Sequence, residues 1–132
     1  WCANSSWAYA ELILNSEIDV MIYSSTADPI LGPPTTEAAI LAILDDAERI
    51  SPQQGAALRT SWTTTKKDIW HVSKNTTVDT LAGYAKCVRV GTGDRRFCYT
   101  IIRNAGHEAP AYQPKACLDA LLRFVDGRPF NA

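Results

Sequence analysis

The sequence predicts a layered α/β fold, in which helices cover a mixed sheet of parallel and antiparallel strands. A short run at 18–23 is apolar at nearly every position, as expected of a central parallel strand that is covered on both faces. Two β-type runs at 81–90 and 96–103 flank a glycine-containing turn, which predicts an antiparallel hairpin. Segments with helical spacing of apolar residues lie before, between and after these strands.

The first half of the chain predicts helix, strand, loop and helix in that order. Apolar side chains recur at helical spacing over 5–15 and predict a short helix. The apolar strand then stops at a run of turn-forming residues, 24–29. Two prolines precede a second predicted helix, which Thr35 or Thr36 would cap and which ends near Glu48.

The second half predicts a polar connection, a strand before the hairpin, and a final helix. Residues 50–67 contain a proline, a glycine and three consecutive threonines, so we expect a surface connection, to which the pattern assigns neither helix nor strand. Residues 68–73 predict a strand. The final helix begins at Pro114 and ends at Gly127. Its apolar residues form one stripe that we expect to be buried: Cys117, Leu118, Leu121, Leu122 and Val125.

Composition and charge exclude several classes of protein. The 132 residues are 46% apolar and 20% charged, as in an ordinary globular protein. The net charge of −1 provides no basic field for nucleic acid, and no apolar run approaches the roughly 20 residues that a membrane helix needs. No spacing of Cys and His suits a metal. We therefore expect no nucleic-acid partner, no membrane span, no metal and no cofactor.

Several features indicate part of a larger secretory protein. The chain begins at Trp1 without an initiator Met or a signal-type segment, so we expect it to lie within a longer precursor. We expect residues 1–132 to be part of one domain, because they cannot cover all faces of the predicted sheet without a partner segment. Sequons at Asn4 and Asn75, together with four cysteines, favour glycosylation and a secretory route.

Two polar residues follow the apolar strands and could carry acid–base chemistry. Asp28 lies after the strand at 18–23, and His107 lies in the loop at 104–110. If the two strands are neighbours with aligned carboxyl ends, this pair forms the acid–base half of a catalytic triad, in the chain order of α/β-hydrolases. The alternative is a capping aspartate and a histidine bonded to backbone. For His71, the other histidine, we expect an ordinary structural or surface role.

No serine of the chain could complete this triad by the usual route. The nucleophile of an α/β-hydrolase is exposed by a strained turn with the pattern Gly-x-Ser-x-Gly, and no serine here has the flanking glycines. A serine nucleophile would therefore have to come from another chain or from another part of the protein.

Two stretches of the chain resemble serine carboxypeptidases. The segment 18–28 is similar to the strand and loop that carry the family's catalytic aspartate. The stretch 99–114 contains an Ala-Gly-His turn, a proline three residues later and a Gln-Pro pair entering a helix, and it is similar to the family's carboxyl-terminal region. The resemblance extends over about 12–48 and 80–127.

The resemblance implies an α/β-hydrolase fold, of which this chain is the carboxyl-terminal part. It also implies that His107 acts as general base and then as general acid, while Asp28 orients its ring. The family's serine and oxyanion hole lie upstream, and several members are cut into a large chain with the serine and a small chain with the other two residues. We therefore expect a large-chain partner and a peptide substrate.

The resemblance also implies residues that contact the substrate. The residue after the catalytic histidine lines the family's pocket for the leaving amino acid, so Glu108 would attract a basic residue there; a solvated carboxylate is the alternative. Tyr112, five residues after His107, would reach the rim of the cleft. The family usually has Gly-Asp-x-Asp before the aspartate loop, whereas Thr26 stands here at the position of the first acid.

The four cysteines allow predictions about disulfides. Cys87 and Cys98 flank the glycine-containing turn and face each other across the predicted hairpin, which favours a disulfide between them; separate bonds to another chain are the alternative. Cys2 is the candidate for a bridge to the large chain. Cys117 is expected to be a buried thiol.

The favoured interpretation is the small chain of a serine carboxypeptidase. It would hydrolyse C-terminal peptide bonds, with His107 and Asp28 serving a serine on another chain. Such a protein would be secreted, or lysosomal or vacuolar. One alternative is a serine carboxypeptidase-like acyltransferase or hydroxynitrile lyase, and the other is a catalytically silent binding subunit.

Overall fold

The computed structural model describes residues 5–72 and 81–131, and these form helices and strands of an α/β fold, as predicted. In chain order they are α1 (Ser5–Asn15), β1 (Val20–Ser25), α2 (Pro33–Ile50), α3 (Pro52–Thr64), β2 (Asp68–His71), β3 (Leu81–Arg89), β4 (Arg96–Ile102), α4 (Ala109–Tyr112) and α5 (Pro114–Val125). Cys2, Asn4 and Asn75, which carry predictions made from the sequence, lie outside the described residues.

The four strands form one mixed sheet in the order β1-β4-β3-β2. β1 runs parallel to β4, with Val20 opposite Phe97 and Ser25 opposite Ile102, and the other two pairs are antiparallel. The prediction of a central position for β1 is wrong for this sheet, because β1 lies at its edge and has one partner strand in the described part of the chain. Val20 of β1 packs in a core with residues of α1 and α2, and such packing gives an edge strand an apolar face like that of a central strand.

Helices cover both faces of the sheet. On one face, α1, α2 and α3 enclose a core in which Ile13, Leu44 and Phe97 are almost fully buried. On the other face, α5 and the carboxyl-terminal tail pack over the buried indole of Trp70. Phe130 of the tail makes an edge-to-face contact with this indole, with ring centroids 5.4 Å apart. The tail is therefore fixed against the sheet.

The helix α2 begins earlier than predicted, at Pro33 rather than at Thr35 or Thr36. Gly32 is the N-cap residue, and proline suits the first turn because a missing N–H costs nothing there and its φ angle is already helical. Thr36 lies within the helix, where its hydroxyl donates a hydrogen bond to the carbonyl oxygen of Leu31 at 3.1 Å.

Helix α3 occupies most of the segment at 50–67, for which the sequence predicted a surface connection without assigning helix or strand. Pro52 lies in the first turn of α3, where proline is favoured. Gly55 allows a close approach to α2, because a Cβ added there would lie 2.5 Å from the carbonyl oxygen of Ala47. Proline and glycine usually break helices. Here Pro52 starts α3, and Gly55 lets α3 pack against α2. Trp62 of α3 is buried.

The hairpin of β3 and β4 forms in the predicted register. Cys87 lies opposite Cys98, and a disulfide joins them, which confirms that prediction. In the turn, Gly91 has a φ angle of 67°, a conformation that favours glycine. The N–H of Val90 closes the turn by donating to the carbonyl oxygen of Arg95 at 2.9 Å. The disulfide joins β3 and β4, the two strands on either side of this turn.

The apolar stripe of α5 is exposed, contrary to the prediction that it is buried. Ala116, Ala120 and Arg123 are the residues of α5 that are buried. Small side chains bring this face of the helix close to the sheet, and the guanidinium of Arg123 donates to Asp119 at 2.7 Å. Helical periodicity identifies an apolar face but not the surface that covers it. The large apolar residues left exposed are Leu118, Leu121, Leu122 and Val125.

A groove of about 360 Å³ lies between α5 and the edge strand β1. Met21 and Tyr23 line it from β1, and Cys117 and Leu121 line it from α5. Cys117 is half-buried and forms no disulfide within the described residues, and burial raises the pKa of its thiol. We use the name α5 face for this groove together with the exposed stripe.

Candidate active site

The parallel pairing of β1 with β4 aligns the carboxyl ends of these two strands. Ser25, the last residue of β1, lies opposite Ile102, the last residue of β4. The loops that follow therefore start side by side at one edge of the sheet. Asp28 lies three residues into the first loop, and His107 lies five residues into the second.

The structure brings the side chains of Asp28 and His107 together. Nδ1 of His107 lies 2.8 Å from Oδ2 of Asp28. The other carboxylate oxygen, Oδ1, accepts hydrogen bonds from the backbone N–H groups of Leu31 at 3.0 Å and Ile30 at 2.9 Å. These N–H donors, Leu31 foremost, and the bond to His107 lower the pKa of the Asp28 carboxyl. The ionised carboxylate is thus the form that this loop stabilises.

The imidazole faces outward, whereas the carboxylate is enclosed. The His107 side chain is 63% exposed and that of Asp28 is 5% exposed. Because Asp28 engages Nδ1, the opposite ring nitrogen, Nε2, remains for an incoming group. Both residues line a cavity of about 230 Å³, to which Tyr23 and Leu31 also contribute. This arrangement can hold a histidine in one tautomer and accept a proton at Nε2.

A buried hydrogen bond supports the end of β1 beneath this cavity. The hydroxyl groups of Ser24 and Tyr99 lie 2.7 Å apart, and both side chains are buried. Burial raises the pKa of Tyr99 to about 12, so this phenol stays protonated. Ser24 thus has a partner within the sheet. No sequence pattern pointed to this pair, because it depends on which strands are neighbours.

Three further hydrogen bonds join the loop of Asp28 to the loop of His107. The N–H of Thr26 donates to the carbonyl oxygen of Ile102, and the N–H of Ala27 donates to that of Ala105, both at 3.0 Å. The N–H of Asn104 donates to Oγ1 of Thr26 at 2.9 Å. In the sequence, Thr26 stood out only as the replacement of an acid, and no pattern pointed to Asn104.

The remaining predicted site residues lie close to His107 in the chain but do not line the cavity. Glu108 is exposed and immediately follows His107, at the start of α4. The ring of Tyr112, which is exposed, packs against the backbone of Gly106. His71 ends β2 on the far side of the sheet from β1, away from these loops. The roles of Glu108 and Tyr112 therefore stay predictions.

The described residues contain neither a cluster of metal-ligating side chains nor a helix suited to a membrane. No group of three or more His, Cys, Asp or Glu side chains within 5–72 and 81–131 is placed to hold a metal ion. Among the same residues, none of the helices combines the length and the apolar character that crossing a membrane requires.

The sequence matches the family model for serine carboxypeptidases over residues 1–127. The chain belongs to the serine carboxypeptidase family. Within this family it is 30% identical over 118 residues to the venom serine carboxypeptidase of Apis mellifera, an alignment that covers 89% of this chain and 20% of that relative. It is also 30% identical over 113 residues to a protein of Dictyostelium discoideum named "Probable serine carboxypeptidase CPVL", covering 86% of this chain and 19% of that relative.

This serine carboxypeptidase chain spans about one fifth of the length of the curated relatives it matches. The aligned share contains the pair of His107 and Asp28 but no Gly-x-Ser-x-Gly motif. Most of the length of each relative therefore has no counterpart among these residues.

Proposed function

We propose that this chain supplies the histidine and the aspartate of a catalytic triad to a serine carried by another part of a serine carboxypeptidase. In this proposal the chain is the carboxyl-terminal part, or small chain, of an α/β-hydrolase domain. The observation that carries the proposal is the 2.8 Å hydrogen bond between His107 and Asp28, with Nε2 of the exposed ring open to a partner.

The proposed reaction removes the last residue of a peptide through an acyl-enzyme. Nε2 of His107 accepts the proton of the serine hydroxyl as the serine oxygen attacks the scissile carbonyl. The carboxylate of Asp28 keeps Nδ1–H in place and stabilises the imidazolium that forms. His107 then gives its proton to the leaving amino group, and in the second half it activates the water that hydrolyses the acyl-enzyme.

The α5 face is proposed to be the surface on which the serine-bearing part docks. β1 has one unpaired edge in the described sheet, and Tyr23 beside it is 53% exposed. The adjoining groove and the exposed leucines of α5 present a continuous apolar surface, which is unusual on a protein that stands alone. The four fifths of each relative's length that this chain does not span would be long enough to cover the α5 face.

The substrate is proposed to be a peptide with a basic carboxyl-terminal residue. Glu108 follows His107 directly and is exposed, so its carboxylate is free to approach the residue that leaves. Tyr112 packs on the glycine that precedes His107, which keeps its ring beside the same loop. A charge pair with Glu108 would raise the affinity for lysine or arginine at this position.

The compartment is proposed to be secretory, lysosomal or vacuolar. The disulfide between Cys87 and Cys98 supports an oxidising compartment. Sequons at Asn4 and Asn75 would carry glycans there, and Cys2 would bridge to the large chain. Mass spectrometry of the intact, non-reduced protein would detect the glycans and the bridge together.

The test of the proposed function uses the whole protein and a reagent that phosphonylates activated serines. We expect covalent labelling of a serine outside this chain and release of carboxyl-terminal residues from peptides. The His107→Ala variant should lower kcat for peptides by about 10⁴-fold. His71→Ala is the matched control, since His71 is exposed and lies at the other end of the sheet order.

Two outcomes separate the alternatives. A folded whole protein that neither reacts with the reagent nor cleaves peptides contradicts the proposal and favours a silent binding subunit. A protein whose serine reacts, but which turns over esters or cyanohydrins and leaves peptides intact, favours an acyltransferase or a hydroxynitrile lyase on the same scaffold.

A further inference from the structure

We infer that Thr26 is a positioning residue, whose hydroxyl sets the geometry between the His107 imidazole and the Asp28 carboxylate. It does so by holding the loop of His107 against the loop of Asp28. The inference rests on the proposed function, because the geometry of the pair affects a rate only if the pair transfers a proton.

Asn104 lies two residues beyond β4 and has an unusual backbone conformation. Its φ angle is 56°, in the left-handed region that non-glycine residues rarely adopt. This conformation turns the chain out of the sheet toward His107. The N–H of Asn104 finds its acceptor in Oγ1 of Thr26 at 2.9 Å, so a side chain of the other loop satisfies the backbone at the turn.

Two backbone hydrogen bonds flank the contact of Asn104 with Thr26. The backbone bond from Thr26 to Ile102 and the one from Ala27 to Ala105 lie on the two sides of the Asn104 contact along the second loop. Together the three bonds extend the alignment of β1 and β4 beyond the ends of the strands. Of these three, the contact from Asn104 to Thr26 is the one that depends on a side chain.

Thr26 and Asn104 both lie only a few residues along the chain from the reacting groups. Thr26 lies two residues before Asp28, and Asn104 lies three residues before His107. A small shift of either loop would therefore move one member of the pair relative to the other. Misplacement of a catalytic group by about 1 Å lowers rates by about 100-fold, although overall structure changes little.

The contact of Thr26 with Asn104 lies at the surface, so its role in positioning can be separated from the stability of the fold. Thr26 and Asn104 are both exposed, and neither belongs to the two buried cores of the fold. An exposed hydrogen bond between neutral groups contributes little to the free energy of unfolding. Loss of this hydroxyl should therefore change the geometry of the pair more than the stability of the protein.

The experiment compares Thr26→Val, which keeps the branched shape without the hydroxyl, with Thr26→Ser, which keeps the hydroxyl. Both are made in the whole protein, and kcat, KM and the thermal midpoint are measured with a peptide substrate. Thr26→Val should lower kcat by about 10-fold to 100-fold with KM within about two-fold. Thr26→Ser should retain kcat within about two-fold, and both variants should melt within a few degrees of wild type.

A second readout does not depend on turnover. Proton NMR of the whole protein should show the Nδ1–H of His107 far downfield, because this proton lies between the ring and a carboxylate. We expect Thr26→Val to move or weaken this resonance and Thr26→Ser to preserve it. Wild-type kcat in Thr26→Val overturns the inference, an unchanged resonance in this variant does so as well, and so does equal damage in the two variants.

The inference and the proposed function fail in different ways. If wild type cleaves no peptide, the proposed function is wrong whatever the Thr26 variants do. If wild type is active and Thr26→Val is equally active, the proposed function stands and the positioning role of Thr26 is wrong.

Discussion

Nδ1 of His107 lies 2.8 Å from Oδ2 of Asp28, although 79 positions separate the two residues in the sequence. The parallel register of β1 and β4 produces this contact, since it starts both loops at the same edge of the sheet. The carboxylate is enclosed while the ring is exposed, so the open nitrogen of the histidine faces away from the fold. Each prediction below follows from this arrangement or from the surface beside it.

The Asp28→Asn variant should lower kcat by about 10⁴-fold with little change in KM. An amide in place of the carboxylate no longer stabilises the imidazolium and favours the wrong tautomer of His107. Steady-state kinetics of the whole protein on a peptide measure the effect. Asp126→Asn, an exposed aspartate after α5, is the control and should keep the wild-type kcat. A fall of less than about ten-fold in Asp28→Asn would show that the carboxylate does not serve the reaction.

Asp28 should also make stability depend on acid. Its pKa in the fold lies below the ordinary value of 3.8, so its ionised form stabilises the fold above that value. This contribution is lost as the pH falls through the lowered pKa. Asp28→Asn cannot titrate, so its thermal midpoint should lie below that of wild type at pH 6, and the gap should shrink below about pH 4. A gap that stays constant from pH 6 to pH 2 would contradict the assignment.

The sequence alone predicted those features that depend on local pattern. The hairpin and its disulfide followed from the glycine-containing turn at 91–94 and from the positions of Cys87 and Cys98 around it. The helix α3 was missed because Pro52 and Gly55 usually mark breaks, whereas here one starts a helix and the other allows close packing.

Other features depend on contacts between distant segments, which no local pattern contains. The pair of Asp28 and His107 was stated as a condition on neighbouring strands, and only the fold supplies that condition. The contact of Thr26 with Asn104 was not foreseen for the same reason. The stripe of α5 was predicted to be buried, because periodicity marks an apolar face without naming what covers it.

The α5 face provides a prediction about assembly. Replacing Leu121, which is half-exposed and lines the groove, by Asp should destabilise the whole protein by about 2–3 kcal/mol, because a charge would be buried where we propose that the serine-bearing part docks. Lys115→Asp places the same charge on an exposed polar position of the same helix and serves as the control. Thermal or urea unfolding of the whole protein measures the difference. Equal stability of the two variants would show that the α5 face is not covered.

Glu108 should set the preference for the residue that leaves. The Glu108→Gln variant should lower kcat/KM for peptides ending in lysine or arginine by about 5-fold to 10-fold, since one charge pair is lost at an exposed site. Peptides ending in leucine should be cleaved as before. Glu17→Gln, an exposed glutamate before β1, is the control. An equal loss for both classes of peptide would show that the Glu108 carboxylate does not select the basic residue.

The most direct measurement is the distance from Nε2 of His107 to the nucleophilic serine in an experimental structure of the whole protein. A phosphonylated serine would mark the nucleophile without ambiguity. We predict that the oxygen of this serine lies about 3 Å from Nε2, while Nδ1 keeps its bond to Asp28. A labelled serine well beyond hydrogen-bonding distance of His107, with another histidine beside it, would show that His107 does not serve this serine.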